Sequence, residues 1–187
     1  DYFLEELWVS LYSLRQFHPE VTVNVLVDES TKKYMERFPK LCDMITNIVV
    51  VPVPENYNAK QRSRVIKTTV RNVIDGAYLF IDTDTVICKP LDDIDNLTCD
   101  IAAVPDGHLP LSECMFPPTN SVNKIFKTDV SDSKYWFNSG VMFVADNEQT
   151  RKFYKRWNEN WTYSCFEKGQ SQDQPALLAT DKEFGYI

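Results

Sequence analysis

The chain has 187 residues, 43% of them apolar and 13% aromatic, which is enough to bury the core of one compact domain and too apolar for a disordered chain. Its formal charge of −7 argues against a nucleic-acid binder, which carries a basic face. An acidic chain that handles phosphate must rely on a cation or on a few placed basic side chains.

Taken in chain order, residues 4–17 place Leu4, Leu7, Trp8, Leu11, Leu14 and Phe17 at three-to-four spacing, predicting an amphipathic helix that His18-Pro19 ends. Residues 21–27 are β-branched and apolar and predict a buried strand with Asp28 at its carboxyl end. A short helix is expected over 31–38, a strand over 48–53, and a helix over 63–74 that Asp75-Gly76 stops. Residues 77–81 form a third strand that runs straight into Asp82-Thr83-Asp84. A strand over 101–104, a proline-rich stretch over 105–118, a strand over 141–144 and helices over 148–166 and 173–180 complete the reading. Strands alternating with helices imply an α/β fold with a mostly parallel sheet flanked by helices, organised as one domain over residues 1–187. Residues 107–130 carry the weakest pattern, as a loop over a site would. In such sheets ligands bind beyond the carboxyl ends of the strands, where Asp28, Asp82, Asp84 and Asp106 all fall.

The strongest chemical signal is Tyr78-Leu79-Phe80-Ile81-Asp82-Thr83-Asp84, a buried strand delivering two carboxylates one residue apart. On extended backbone, positions i and i+2 face the same side and can converge on one cation. Hard ions such as Mg²⁺ or Mn²⁺ favour such oxygens and keep positions open for substrate phosphates. The competing reading is a solvated acidic turn. Arg62, Arg64, Lys67 and Arg71 lie on the helix feeding this strand; they are candidates for phosphate contact or an ordinary basic face. Phe137-Asn138-Ser139-Gly140 precedes an apolar strand and offers neutral groups suited to sugar hydroxyls, or is simply a turn. Asp173, with Pro175 two residues on, has the pattern of a helix cap, and with Gln174 it also offers polar groups to a ligand. Five cysteines form no CxxC pair and their odd count fits reduced thiols. No apolar run reaches membrane-spanning length and no signal-peptide pattern is present. These features point to the cytoplasm, with membrane association through segments outside this sequence as the alternative.

Together these residues resemble the family-8 glycosyltransferases, retaining enzymes of the GT-A fold that include glycogenin and bacterial lipopolysaccharide galactosyl- and glucosyltransferases. Asp1-Tyr2 followed by Val9-Ser10-Leu11-Tyr12-Ser13-Leu14 is similar to the family's first nucleotide loop and helix. Ser63-Arg64 resembles its basic position, Asp82-Thr83-Asp84 its DxD, Asp106 an acidic sugar-binding position, Phe137-Asn138-Ser139-Gly140 its FN(S/A)G element, and Asp173-Gln174 the start of its DQD segment. The resemblance implies that Tyr2 stacks on uracil, and that Asp82 and Asp84 hold Mn²⁺ (or Mg²⁺) and the ribose-diphosphate, with Thr83 between them. It further implies that Arg64, Asp106, Asn138, Ser139, Gly140 and Asp173 surround the donor sugar, with Gln174 near its reactive face. Three departures accompany it. The family's first strand would precede Asp1, and its histidine metal ligand would lie beyond Ile187, which implies a piece of a longer protein. Pro175 stands where the family has a second acid, which removes a nucleophile there.

The expected activity is therefore transfer of a hexose from a UDP-sugar to a glycan, lipid-linked or protein acceptor, metal-dependent and retaining, with Asp173, Gln174 and Arg64 as the catalytic candidates. Two rivals remain: a catalytically silent GT-A domain that binds nucleotide-sugar or glycan, and a sugar-1-phosphate nucleotidyltransferase. The latter carries a glycine-rich N-terminal signature, and this chain has no glycine before Gly76.

Overall fold

The computed structural model describes residues 2–114 and 119–187; Asp1 and the last part of the proline-rich stretch lie outside the described residues. Among them seven α-helices and five strands interleave in a mixed α/β architecture. The contacts divide the chain into two compact units, Asp1–Asn56 with Ile81–Leu97, and Tyr57–Phe80 with Thr98–Ile187.

The first unit opens with α1 (Tyr2–Phe17), whose Leu4, Leu7 and Leu11 are buried as their spacing dictates. Trp8 and Phe17, expected on the same stripe, are exposed, and Ser10 and Ser13 lie on the buried side instead. The apolar stripe packs with Val25 and Val27 of β1 (Asn24–Val27) and with Met35 and Leu41. Met35 ends α2 (Glu29–Met35), and Leu41 belongs to the short α3 (Pro39–Cys42). The helix expected over 31–38 is α2, which the Asp28 cap starts two residues earlier and which ends at Met35; α3 follows it, with Pro39 at its first position. β1 pairs in parallel with β2 (Asn47–Val50), Val25 opposite Ile48 and Val27 opposite Val50. The Arg15 guanidinium fastens the turn after α1, donating to the carbonyls of Pro19 (2.9 Å), Val21 (2.7 Å) and Met44 (2.7 Å).

In the second unit α4 (Ala59–Val73) starts from a reciprocal cap between Asn58 and Gln61. At its other end Arg71, fully buried, donates to the carbonyls of Gly76 (2.7 Å) and Ile74, so it closes its own helix and does not face a phosphate. Gly76 takes the left-handed conformation (φ 80°) that lets the chain leave the helix for β3 (Tyr78–Ile81). β3 lies beside β5 (Tyr135–Val144), which pairs antiparallel with β4 (Ile101–Pro110). α6 (Glu148–Lys168) buries Phe153, Tyr154, Trp157 and Trp161, each contributing roughly 1.5–3 kcal/mol through removal of apolar surface from water. α4 and α7 (Gln174–Phe184) both pack on α6, and α7 also packs on β5. A second apolar cluster joins Leu111, Trp136 and Leu178 to Val122 of α5 (Thr119–Phe126), a helix inside the stretch whose sequence carries the least pattern.

The β4–β5 ladder is irregular where it matters. Ala103 pairs with Met142, but the next residue, Val104, pairs with Asn138. Residues 139–141 therefore bulge out of register. A second irregularity lies between Pro105 and Pro110, where Gly107 (φ 63°) and His108 (φ 56°) are both left-handed. Phe137-Asn138-Ser139-Gly140 is thus part of a strand, and not a turn before one.

Candidate functional site

In the first unit, Asp82-Thr83-Asp84 forms a tight turn closed by the Thr85 N–H donating to the Asp82 carbonyl at 3.2 Å. The turn, and not the pleat of an extended strand, sets the direction of the two carboxylates. Thr83 and Asp84 line an open cleft of ≈ 260 Å³ together with Glu5, Glu6 and Val9 of α1 and with Thr85 and Val86. Tyr2, largely exposed at the start of α1, has its phenol held above its ordinary range, first by a hydrogen bond to Glu6 and the Glu6 charge, then by slight burial and the negative charges of Asp84 and Glu5. The segment leaving the turn is tied back to α1 twice: Ile87 N–H donates to Ser13 Oγ at 2.9 Å and Leu91 N–H donates to His18 Nε2 at 2.9 Å. Because His18 Nε2 accepts, its hydrogen resides on Nδ1, which faces Asp92 at 4.0 Å. His18 is a tether here as well as a helix-end residue.

In the second unit, α4, β5 and the start of α7 bring Arg64, Lys67, Ser139 and Asp173 together. Arg64 Nε lies 2.7 Å from Asp173 Oδ1, and Ser139 Oγ donates to Asp173 Oδ2 at 2.6 Å. Lys67 Nζ lies 4.0 Å from the same Oδ2 and donates to Ser139 Oγ at 3.4 Å. Asp173 occupies the cap position of α7, yet its side chain makes no cap bond and is spent on this network; Trp157 Nε1 holds its carbonyl at 3.2 Å. Beside it on the bulged strand, Asn138 Oδ1 accepts from Gly140 N–H (2.6 Å), and Asn138 Nδ2 donates to Asp106 Oδ1 (3.3 Å). Gln174 Nε2 donates to the Phe137 carbonyl at 3.0 Å, which joins Gln174 to the same strand.

Each unit therefore gathers its own share of the expected residues: Tyr2, Asp82, Thr83 and Asp84 in the first, and Arg64, Asp106, Asn138, Ser139, Gly140, Asp173 and Gln174 in the second. Two basic candidates go elsewhere. Arg71 closes α4, and Arg62 Nε donates to the Tyr57 carbonyl at 2.8 Å. Asp28 caps α2 through Thr31 N–H at 2.7 Å, a structural task. Glu5 and Glu6 of the cleft and the Ser13 tether were not read from the sequence. An acid in the first turn of a helix is an everyday dipole partner, and a serine between leucines carries no periodic signal.

Among the described residues no three His, Cys, Asp or Glu side chains converge as a metal centre. The donors around the turn are all oxygens, however, and a hard divalent ion held by one or two carboxylates and by substrate phosphates needs no third protein ligand. The residues fit such an ion. None of the described helices is long and apolar enough to cross a membrane.

No curated protein matches the chain. The family model described as glycosyl transferase family 8 matches residues 1–182, a span that holds the acidic turn of the first unit and the Arg64–Asp173 network of the second. On that match the chain belongs to glycosyltransferase family 8.

Proposed function

We propose that this glycosyltransferase moves a hexose from a UDP-sugar to a glycan, lipid-linked or protein acceptor, with retention at the anomeric carbon. The observation that carries the reading is the acidic turn at the end of β3, opening on a cleft that Glu5, Glu6 and Val9 of α1 border. Asp82 and Asp84 would hold Mn²⁺ or Mg²⁺, which supplies charge neutralisation to the departing diphosphate. Tyr2 offers an exposed ring for stacking on the base. Arg64, Asp106, Asn138, Ser139, Gly140 and Asp173 receive the donor sugar, with Gln174 beside them. The single acid of the DQD-like segment, Asp173, is committed to Arg64 and Ser139, and Pro175 replaces the second. That supports front-side displacement: the bond from the anomeric carbon to the β-phosphate oxygen breaks, the acceptor oxygen bonds on the same face, and the departing phosphate takes the acceptor's proton.

Release of UDP from a panel of UDP-hexoses, measured on the full-length protein with and without Mn²⁺, tests this reading. Asp84→Asn is expected to lower Mn²⁺-dependent turnover on the order of 10²-fold or more while leaving the melting temperature unchanged, since Asp84 is exposed and its loss removes charge stabilisation rather than packing. Normal turnover in Asp84→Asn rejects the metal assignment. Tight UDP binding with no UDP release from any donor would identify a silent binding domain.

A further inference from the structure

Lys67 sits where a lysine is expensive. Its side chain is 5% exposed, as deep as Asp173 at 4%, and its ammonium lies 5.3 Å from the centre of the Phe80 ring. From sequence it was one of four candidates for a phosphate contact, but its depth in the structure places it behind the network and not at its surface. Arg64, at 27%, is the more exposed end of the group.

The donor and acceptor inventory fixes the order of the bonds. An ammonium has three N–H donors and no acceptor, so at 3.4 Å the Ser139 oxygen must accept from Lys67. The one hydroxyl proton of Ser139 is then directed to Asp173 Oδ2, 2.6 Å away. With Oδ2 held, the carboxylate is turned so that Oδ1 meets Arg64 Nε at 2.7 Å. Three elements are linked in one chain of command: Lys67 on α4, Ser139 on the bulge of β5, Asp173 at the start of α7, and back to Arg64 one turn from Lys67 on α4. The irregular register of β5 matters here, because it removes Ser139 from the regular ladder with β4.

We propose that Lys67 is a positioning residue: acting through the Ser139 hydroxyl, it fixes the Asp173 carboxylate in the orientation that holds the Arg64 guanidinium at the donor sugar. The part concerning the donor rests on the proposed hexosyl transfer. The part concerning Arg64 does not.

Mobility of the Arg64 guanidinium, read as the ¹⁵Nε order parameter by NMR on the full-length protein, tests the chain of contacts without any ligand. Lys67→Met keeps the length and the apolar stem and removes the donor. It is expected to lower the order parameter from about 0.85, the value of a rigid group, to below about 0.6, that of a flexible one, and Ser139→Ala is expected to do the same. Lys67→Arg, which retains a cationic donor, should recover most of the order. A residue that only fills space would give the reverse, because the larger guanidinium fits the buried position worse than methionine. The activity arm uses Mn²⁺–UDP and UDP-hexoses as probes. Lys67→Met should lower kcat for UDP release about tenfold while Mn²⁺–UDP affinity stays within about twofold, as expected for loss of an interaction remote from the nucleotide. An unchanged Arg64 order parameter in Lys67→Met and Ser139→Ala overturns the proposal, and so does a parallel fall in Mn²⁺–UDP affinity, which would mean that Lys67 touches the diphosphate itself. Should Lys67→Met fail to fold, Ser139→Ala decides alone. A wild-type protein that releases no UDP from any donor removes the transfer reading, while the order-parameter measurement still decides the role of Lys67.

Discussion

At the scale of single residues, two serines do work that their chemistry makes easy to overlook. Ser139 passes a hydrogen bond from Lys67 to Asp173, and Ser13 accepts one from Ile87 while donating its own proton to the Ser10 carbonyl at 2.7 Å. In both cases a hydroxyl acts as donor and acceptor at once, which is what a buried serine needs in order to be tolerated. Ser13→Ala leaves the Ile87 N–H without its acceptor beside a buried helix face. It should cost about 1–2 kcal/mol in denaturant unfolding, and it should weaken Mn²⁺ binding in a titration, because the acidic turn lies immediately before the tethered segment. If Mn²⁺ binding is unchanged at that loss of stability, the tether serves packing alone.

At the scale of elements, periodicity identified α1, α4, α6 and α7 and the β1 and β3 strands, because each carries an apolar run or stripe long enough to report its period. What it missed depended on partners distant in sequence. β5 starts at Tyr135 and not Val141, since Asn138, Ser139 and Gly140 are polar or small and belong to the strand only by pairing with and bulging from β4. α5 spans Thr119–Phe126 and buries Val122 alone among its described side chains, too little for a periodic signal. The site was legible as a set of residue types, and less so as contacts. Asp173, which reads from sequence as both a cap and a ligand group, makes no side-chain cap bond and joins Arg64 to Ser139 in the structure, and Arg71, which reads as a phosphate contact or part of a basic face, closes its own helix. Arg71→Met should therefore leave UDP binding intact and lower stability by about 3 kcal/mol, through the stranded carbonyls of Ile74 and Gly76 and the lost ion pair to Asp146 at 3.7 Å. Chemical denaturation and UDP titration on the same variant separate the two effects.

At the scale of the whole molecule, the second unit pairs a buried phenol, Tyr154, with a half-buried one, Tyr78, and this pair is expected to limit the stability of the fold at high pH. Burial pushes Tyr78 up to about 12 from an ordinary 10.0, with Arg71 and Arg151 nearby pulling the other way, and burial also raises Tyr154 well above 10.0, helped by Tyr78 beside it. A phenol whose pKa is raised in the folded state contributes stability that is complete below pH 10 and is lost as pH climbs through the folded value. For Tyr78 the loss approaches about 3 kcal/mol at the top of that window. An alkaline titration should show exposed tyrosines ionising first by their absorbance, with Tyr78 and Tyr154 following only as far-UV circular dichroism collapses. Tyr78→Phe should move that collapse to higher pH. If all tyrosines ionise as one class near pH 10 with the fold intact, the pair is not buried as described.

The two tethers on α1 also bear on how this chain tolerates change in length. Ile87 hangs from Ser13 and Leu91 from His18, so the backbone between them is measured against a rigid helix at both ends. One added residue there must leave one of the two bonds unmade. The exposed stretch that follows, around Asn96, Leu97, Thr98 and Cys99, answers to no such ruler. Insertions and deletions in related sequences should therefore gather just after the measured segment and spare the segment itself, whatever its residues are.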